Sequence, residues 1–471
     1  MKIYTKQDNF TLYEGNMLDM LSEISENSID SIVTDPPYEL NFMGKTWDKS
    51  GIAFQKETWE KCLSVLKPGG YLVAFGGSRT FHRIACAIED AGFEIREIIS
   101  WIYGSGMPKS MNIGLAIDKR NGVDGEIIGY RNHQDFNAVG QYQNQISGIN
   151  KRSFGQMSNV ERIDTPIYKS TNEFDDWWTG LKPAYEPIII ARKPCEGSVI
   201  DNVLKYRVGG MNIGECRIEH NEETKYTNRQ GRSEDCVFNS NTCGINNEQN
   251  HLASADERGR FPSNVILSYD EESEEEVCKG FPITKSTGGS GETSIKSGLS
   301  GDRVYNGGWN HEVIGSHLGG LGDEGSAARY FYCAKASVKD REEGLDDFVA
   351  KKVENEDSTA VFRKNIHPTV KPTELMQYLV RLVTPKKGTI LDPFNGSGST
   401  GKACMWENKE RNAEYQYIGI ELTSEYLPIA KARIEYVSKV TVNTKEQLAE
   451  QVKNSAKVEN RLLNMINKNK S

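Results

Sequence analysis

The sequence predicts an α/β fold: a doubly wound sheet covered by helices on both faces and interrupted by a long insert. Three observations predict it. Strand-like apolar runs alternate with helically spaced ones over residues 12–103 and again over 374–437, the rhythm of a parallel sheet. Tyr71-Leu72-Val73-Ala74-Phe75 is apolar at every position, as a strand buried on both faces requires. Between the two rhythmic blocks, residues 194–366 are polar and glycine-rich, with only short strand candidates.

Residues 12–19 read as a short strand and turn, and 17–24 as a short helix. The run 29–34 is rich in β-branched side chains and ends at Pro36 and Pro37, which cannot continue a ladder. Residues 39–50 read as a loop. Phe54, Trp59, Leu63 and Leu66 stand at helical spacing over 53–66, before the stop signal Pro68-Gly69-Gly70. After the 71–75 strand come a helix over 80–91, ended by Gly92, and a strand over 93–103 that carries Trp101. Residues 104–178 predict loops and short helices, and 186–192 one more strand. In the insert, 264–267 and 329–334 are the strand candidates, while 286–308 has almost no apolar content. The rhythm then resumes with a helix over 374–383, a strand over 388–392, a helix starting at 401, a strand over 417–421 and a helix over 424–437. Beyond Thr444, Leu448, Val452, Leu462 and Ile466 recur at roughly helical spacing, which predicts a docking or dimerising helix or a surface one.

Composition narrows the function classes. A chain of 471 residues with 37% hydrophobic and 9% aromatic content is that of an ordinary soluble protein of two or three packed units. No run approaches the length of a membrane span and no secretory leader is evident, so the expectation is a cytoplasmic protein without a membrane partner. The nine cysteines include no C-x-x-C pair, which predicts reduced thiols. Cys216, Cys236 and Cys243 with His220 or His251 match no standard zinc spacing, and no metal is expected. The net charge of −9 argues only weakly against nucleic acid. Much of the acid sits in the block 271–276, whereas basic pairs such as Lys151-Arg152 and Arg192-Lys193 lie elsewhere.

Two motifs carry chemistry. Asp35-Pro36-Pro37-Tyr38 follows a predicted strand, presenting a carboxylate, a rigid backbone and a ring where open α/β sheets bind ligands. That set suits methylation of an exocyclic amine on a planar base. Asp35 and the Pro36 carbonyl can accept the N–H bonds while Tyr38 stacks on the ring. The plainer alternative is a solvated Asp in a Pro-rich turn. The second motif runs from Asp392 through Pro393, Phe394, Asn395, Gly396, Ser397 and Gly398 to Thr400 and Gly401, with Glu421 some twenty residues beyond Gly401. It fits a dinucleotide site, a phosphate loop with Lys402, or an adenosylmethionine site. Ala403 stands where a phosphate loop needs a hydroxyl for magnesium. An acidic Asp392 suits a cofactor with a cationic amino group, and the Asp-Pro-Pro-Tyr string selects the third reading.

With both motifs in hand, the sequence resembles the permuted (β) group of DNA amino-methyltransferases, whose catalytic motif precedes the cofactor motif. The likeness covers 12–103, 180–193 and 367–437. It implies a Rossmann-like methyltransferase sheet, S-adenosyl-L-methionine as cofactor, and methyl transfer to adenine N6 in double-stranded DNA by base flipping. Asp35, Pro36, Pro37 and Tyr38 match the catalytic tetrapeptide, with Asp35 also beside the cofactor. His367, Thr369, Lys371 and Pro372 match the segment lying against the methionine end of the cofactor. Asp392, Pro393, Phe394, Gly396, Ser397 and Gly398 match the glycine motif, Thr400 its helix start, Glu421 the ribose-binding acid, and Asp19 an acid that contacts the adenine of the cofactor. Serine in place of Asp35 is the form more associated with cytosine N4, so cytosine N4 stays an alternative, as do an RNA target and a non-catalytic DNA-binding module of the same fold. Ring-carbon methylation would need a cysteine nucleophile, and Pro194-Cys195 does not precede a catalytic loop. The implied domains are 1–193 and 367–437 as the two halves of the methyltransferase, 194–366 as target-recognition domain and 438–471 as a helical tail. Residues 104–178 exceed a minimal catalytic domain and are expected at the DNA, where Trp47 and the Trp177-Trp178 pair are candidate stacking groups. A homodimer and a cognate restriction endonuclease are the further partners that the resemblance allows.

Overall fold

The computed structural model describes residues 2–40, 48, 50–103, 110–131, 165–218, 259–269, 281, 283–285, 324–327, 331–335, 338–354 and 360–440. Its strands are, in chain order, β1 (Lys2–Lys6), β2 (Phe10–Glu14), β3 (Ile29–Thr34), β4 (Leu66–Phe75), β5 (Glu94–Ile102), β6 (Glu126–Arg131), β7 (Thr165–Lys169), β8 (Tyr185–Arg192), β9 (Val265–Tyr269), β10 (Ile283–Lys285), β11 (Glu324–Ser326), β12 (Tyr332–Lys335), β13 (Lys351–Glu354), β14 (Ala360–Arg363), β15 (Thr389–Asp392) and β16 (Gln416–Glu421). Ten of them form one sheet in the order β1-β2-β16-β15-β3-β4-β8-β5-β9-β12. Only β1 and β8 run against the rest.

Two buried layers flank this sheet. One gathers apolar side chains of the helices Thr373–Val383, Ser399–Arg411 and Leu427–Lys439. The other gathers those of Met17–Leu21, Lys56–Val65 and Phe81–Asp90. Strands covered on both faces must be apolar throughout, which is why Leu72, Val73, Ala74 and Phe75 are all fully buried.

The permutation becomes physical at β3 and β15. These strands, more than 350 residues apart in sequence, pair in parallel, Ile390 opposite Ser31 and Leu391 opposite Ile32. From β15 the chain crosses to β16 on one side; from β3 it crosses to β4 on the other. The carboxyl ends of the pair therefore flank a topological switch point, where open α/β sheets form their ligand crevice.

Several expectations change. β1 carries no apolar face, since all five residues are exposed or half-buried, and so left no periodic signal. The helix expected over 53–66 starts only at Lys56, because Gln55 is extended (φ −85°, ψ 127°) after the short turn Ile52–Phe54. That helix ends at Val65, ahead of the stop signal as expected, but the following strand begins at Leu66 and runs through Pro68-Gly69-Gly70 instead of starting at Tyr71. Gly69 (φ +79°) lies so close to Asn202 that a β-carbon would sit 2.2 Å from its side-chain nitrogen. Within 104–178 stand a short helix of the expected kind, Ile113–Arg120, and a β6–β7 antiparallel pair that was not expected. Two strand candidates of the 194–366 segment, β9 and β12, extend the main sheet beyond β5 in parallel register, so this segment helps build that sheet. The acidic block 271–276, the segment 286–308 and the tail beyond 440 lie outside the described residues. Among those described, no helix is long and apolar enough to cross a membrane.

Candidate active site

The tetrapeptide leaves β3 at the crevice and is fixed on both sides. Thr34, the last residue of the strand, donates its hydroxyl to Asp392 Oδ1 at 2.7 Å, tying the start of one motif to the start of the other. After the prolines, Thr80 Oγ1 donates to the Tyr38 carbonyl at 2.8 Å. The Asp48 carboxylate accepts from Glu39 N (2.9 Å) and Leu40 N (3.1 Å). Asp35 thus stands on a pinned turn. Its Oδ2 lies 2.9 Å from Lys371 Nζ. Its Oδ1 is buried and has no hydrogen-bond partner. An unsatisfied buried carboxylate oxygen is costly, and it marks an acceptor reserved for something else.

Around Asp35 the chain gathers a charged and aromatic cluster. Lys371 Nζ also lies 3.2 Å from Glu186 Oε2, and 5.2 Å and 5.0 Å from the ring centres of Tyr38 and Phe75. Tyr38 donates its hydroxyl to Glu186 Oε2 at 2.7 Å. Burial pushes the Asp35 carboxyl above its ordinary value, against the pull of Lys371. Burial alone would lower Lys371, but the two carboxylates outweigh it and hold the ammonium protonated. Tyr38, raised first by burial and then by the two acids, keeps its proton.

The glycine turn is anchored as firmly. Asp392 accepts from Thr34, from Thr400 Oγ1 (2.7 Å) and from Phe394 N (3.1 Å). Burial still raises it to about 6. Gly396 (φ +51°) and Gly398 (φ +75°) take left-handed backbone, and a β-carbon at Gly396 would lie 2.7 Å from His367 Nε2. His367 is lowered to about 3 by burial, so its ring is neutral. Its Nδ1 sits 2.6 Å from the Thr369 carbonyl, an acceptor, which assigns the proton to Nδ1 and leaves Nε2 a lone pair beside the turn. Glu421, at the end of β16, accepts from Gly396 N and Thr423 N, both at 2.7 Å, and burial raises it to about 7. Arg433, fully buried, donates to the Ser397 carbonyl (2.8 Å) and hydroxyl (3.0 Å). Lys402 points away from the turn into Asp340 and, at 2.8 Å, Glu343, so it is no phosphate-loop lysine.

The family whose model matches this chain is described as DNA methylase, of the N6/N4 amino-methyltransferase type, and the match runs over residues 29–432. The chain belongs to this family. Among relatives of this chain, M.HpaI of Haemophilus parainfluenzae, a Type II methyltransferase, is 37% identical over 102 residues, 20% of this chain and 32% of that one. Type II methyltransferase M2.MboI of Moraxella bovis is 30% identical over 121 residues, 21% of this chain and 44% of that one. The chain thus spans less than half the length of these relatives. Of solved structures, PvuII DNA methyltransferase (cytosine-N4-specific) is similar at 14% identity and a TM-score of 0.39, covering 96% of this chain and 94% of that one. The M1.HpyAVI–SAM complex is similar at 15% identity and a TM-score of 0.33, covering 90% and 99%.

S-adenosyl-L-methionine is the cofactor of this family. The residues present fit it. Glycines at 396 and 398 give close backbone approach, Glu421 ends β16 as a ribose-binding acid should, and the open Asp35 oxygen stands one residue from the Thr34–Asp392 bond.

The fold brings most of the sequence-derived residues together: Asp35 and Tyr38 with Lys371, and His367 with Gly396, Asp392, Thr400 and Glu421. Pro36 and Pro393 are buried beside their motifs, and Pro372 caps the helix Thr373–Val383. Asp19 is exposed in the first turn of Met17–Leu21, beyond β2 and two strands away from the glycine turn. Trp47 lies outside the described residues. Trp101 is core, its Nε1 donating to Ser268 Oγ at 2.8 Å. Cys195 follows β8 at the sheet edge opposite Asp35. The sequence reading missed Glu186, Thr34 and Arg433. Glu186 left one faint signal, an acid beside Pro187 at the head of the apolar run 188–191, where solvent-facing charge would be out of place.

Proposed function

We propose that the protein methylates the N6 amine of adenine in duplex DNA, with the target base turned out of the helix into the crevice beside Tyr38. The single observation that carries this reading is the open Asp35 Oδ1, buried at the strand end that abuts the glycine turn. Bound S-adenosyl-L-methionine supplies an electrophilic methyl group on sulfur. What the chain adds is orientation and proton acceptance. An exocyclic amine is a weak nucleophile because its lone pair is delocalised into the ring. Asp35 Oδ1 and the Pro36 carbonyl, accepting its two N–H bonds, favour the pyramidal form and fix the nitrogen in place. Tyr38 offers its ring face for stacking, held by its bond to Glu186 and by the backbone bond from Thr80.

An aspartate opening the tetrapeptide favours adenine over cytosine, by the association within the permuted group. The described residues 165–182 lead into β8, whose first residues lie at the end of the sheet where Asp35 stands, and they expose Trp177 (60%) and Trp178 (53%) as candidate DNA contacts. The part of 194–366 that does not build the sheet is the proposed target-recognition unit. The test is incubation of the full chain with labelled donor and genomic DNA, followed by digestion to nucleosides. N6-methyladenine is the expected product. N4-methylcytosine would replace the base assignment, label in RNA alone would replace the substrate class, and no label in either would overturn the reading.

A further inference from the structure

Lys371 is shared by two carboxylates, and the chemistry above uses only one of them. Asp35 Oδ2 and Glu186 Oε2 lie 2.9 Å and 3.2 Å from the same ammonium, which is almost wholly buried. Glu186 Oε2 also accepts from Tyr38, and its Oε1 more weakly from Tyr103 OH at 3.4 Å. Two acids and one base leave the cluster with one net negative charge. A buried ion pair of Lys371 with Asp35 would satisfy the lysine alone; the extra acid, which costs desolvation, calls for a reason.

Methylation of an amine supplies one. As the new N–C bond forms, the S–C bond of the donor breaks with its electron pair left on sulfur. The nitrogen then sheds one proton, its N–H bond pair staying on nitrogen, and the proton goes to Asp35 Oδ1. Asp35 is then neutral and no longer a counter-ion. Without Glu186 the reaction would strand a buried ammonium.

We propose that Glu186 is a positioning residue for methyl transfer, keeping Lys371 paired while Asp35 carries the amine proton and holding the Tyr38 ring in place. The charge sum agrees. Before transfer the cluster's single negative charge faces a cationic donor; afterwards both are neutral. This inference rests on the methylation reading above. The groups facing Asp35 are Lys371, Glu186 and Tyr38, with Asp392 across the crevice.

The experiment is a pH profile of kcat on DNA for wild type, Asp35→Ala, Glu186→Gln and Glu186→Asp, with donor binding measured by calorimetry. Glu186→Gln is expected to lower kcat at least tenfold while still binding donor. It should also move the acid limb of the profile to lower pH, because a negative neighbour that holds the Asp35 proton has gone. Glu186→Asp is expected to restore the limb and part of kcat. A fall in kcat with the limb unmoved would reduce Glu186 to a structural prop, and an unchanged kcat would remove it altogether. Either result overturns the proposal while active wild type keeps the methylation reading; an inactive wild type overturns both.

Discussion

Asp35 presents two oxygens with different fates. One is committed to Lys371, and the other is kept dry and free. Asp35→Ala is therefore expected to lower kcat by about 100- to 10,000-fold, the range for losing a positioned proton acceptor, as read by label transfer. Glu421 gives a second test at this scale. Its ionised carboxylate can accept both ribose hydroxyls, and burial holds its proton up to about 7. Donor affinity is thus expected to fall as pH drops through about 7. Glu421→Gln should flatten that dependence and weaken binding by roughly 10- to 100-fold, the effect of losing about 1.5–3 kcal/mol of charge-assisted bonding. Stability runs with the opposite sign. A carboxyl whose folded value is raised contributes most below its unfolded value of about 4.3 and loses that contribution as pH rises through about 7. Without donor, Glu421→Gln should therefore gain in Tm relative to wild type as pH is raised, a shift that thermal denaturation would read. Glu186 shows why residue-scale reading stops short. Its identity is plain in the sequence, but its value comes from meeting Lys371, far along the chain, and no local pattern encodes that meeting.

At the scale of elements, the short helix Val338–Glu342 ties the two halves of the site together. Asp340 accepts from Thr373 N (2.7 Å) and Thr373 Oγ1 (2.6 Å), capping the helix that follows the Lys371 segment. It also meets Lys402 from the glycine-turn helix and lies 3.7 Å from Arg433. Lys402 and Arg433 are fully buried, so Asp340→Ala would leave two cations with diminished pairing. The expected loss is about 3–5 kcal/mol of unfolding free energy, measured by denaturant titration. A value under about 1 kcal/mol would mean that Glu343 alone relieves the two cations. The sequence made most elements legible because each buried face leaves a period. The strands 29–34, 71–75 and 388–392 and the helices around 80–91 and 374–383 are of this kind. It failed where the face is absent or shared. β1 is an exposed edge, and β9 and β12 are too short to reveal which sheet they join.

Across the whole molecule, the permuted order matters because β3 and β15 become neighbours only in the folded sheet. Both motifs were legible as strings; that they make one crevice was legible only through resemblance. The Thr34–Asp392 bond gives that inference its geometry. Trp177 and Trp178 are exposed on the stretch that leads into β8. Replacing both with Ala should weaken DNA binding by about 1–3 kcal/mol for each base that loses its stacking partner, and leave donor affinity unchanged. Fluorescence anisotropy with duplex DNA would show it. The central claim is that the carboxylate ending β3 acts on an amine presented to a donor held by the turn after β15. Its most direct test pairs donor calorimetry with label transfer to DNA for Asp35→Ala. The account predicts a variant that still binds donor but transfers almost no methyl; transfer at the wild-type rate would contradict it.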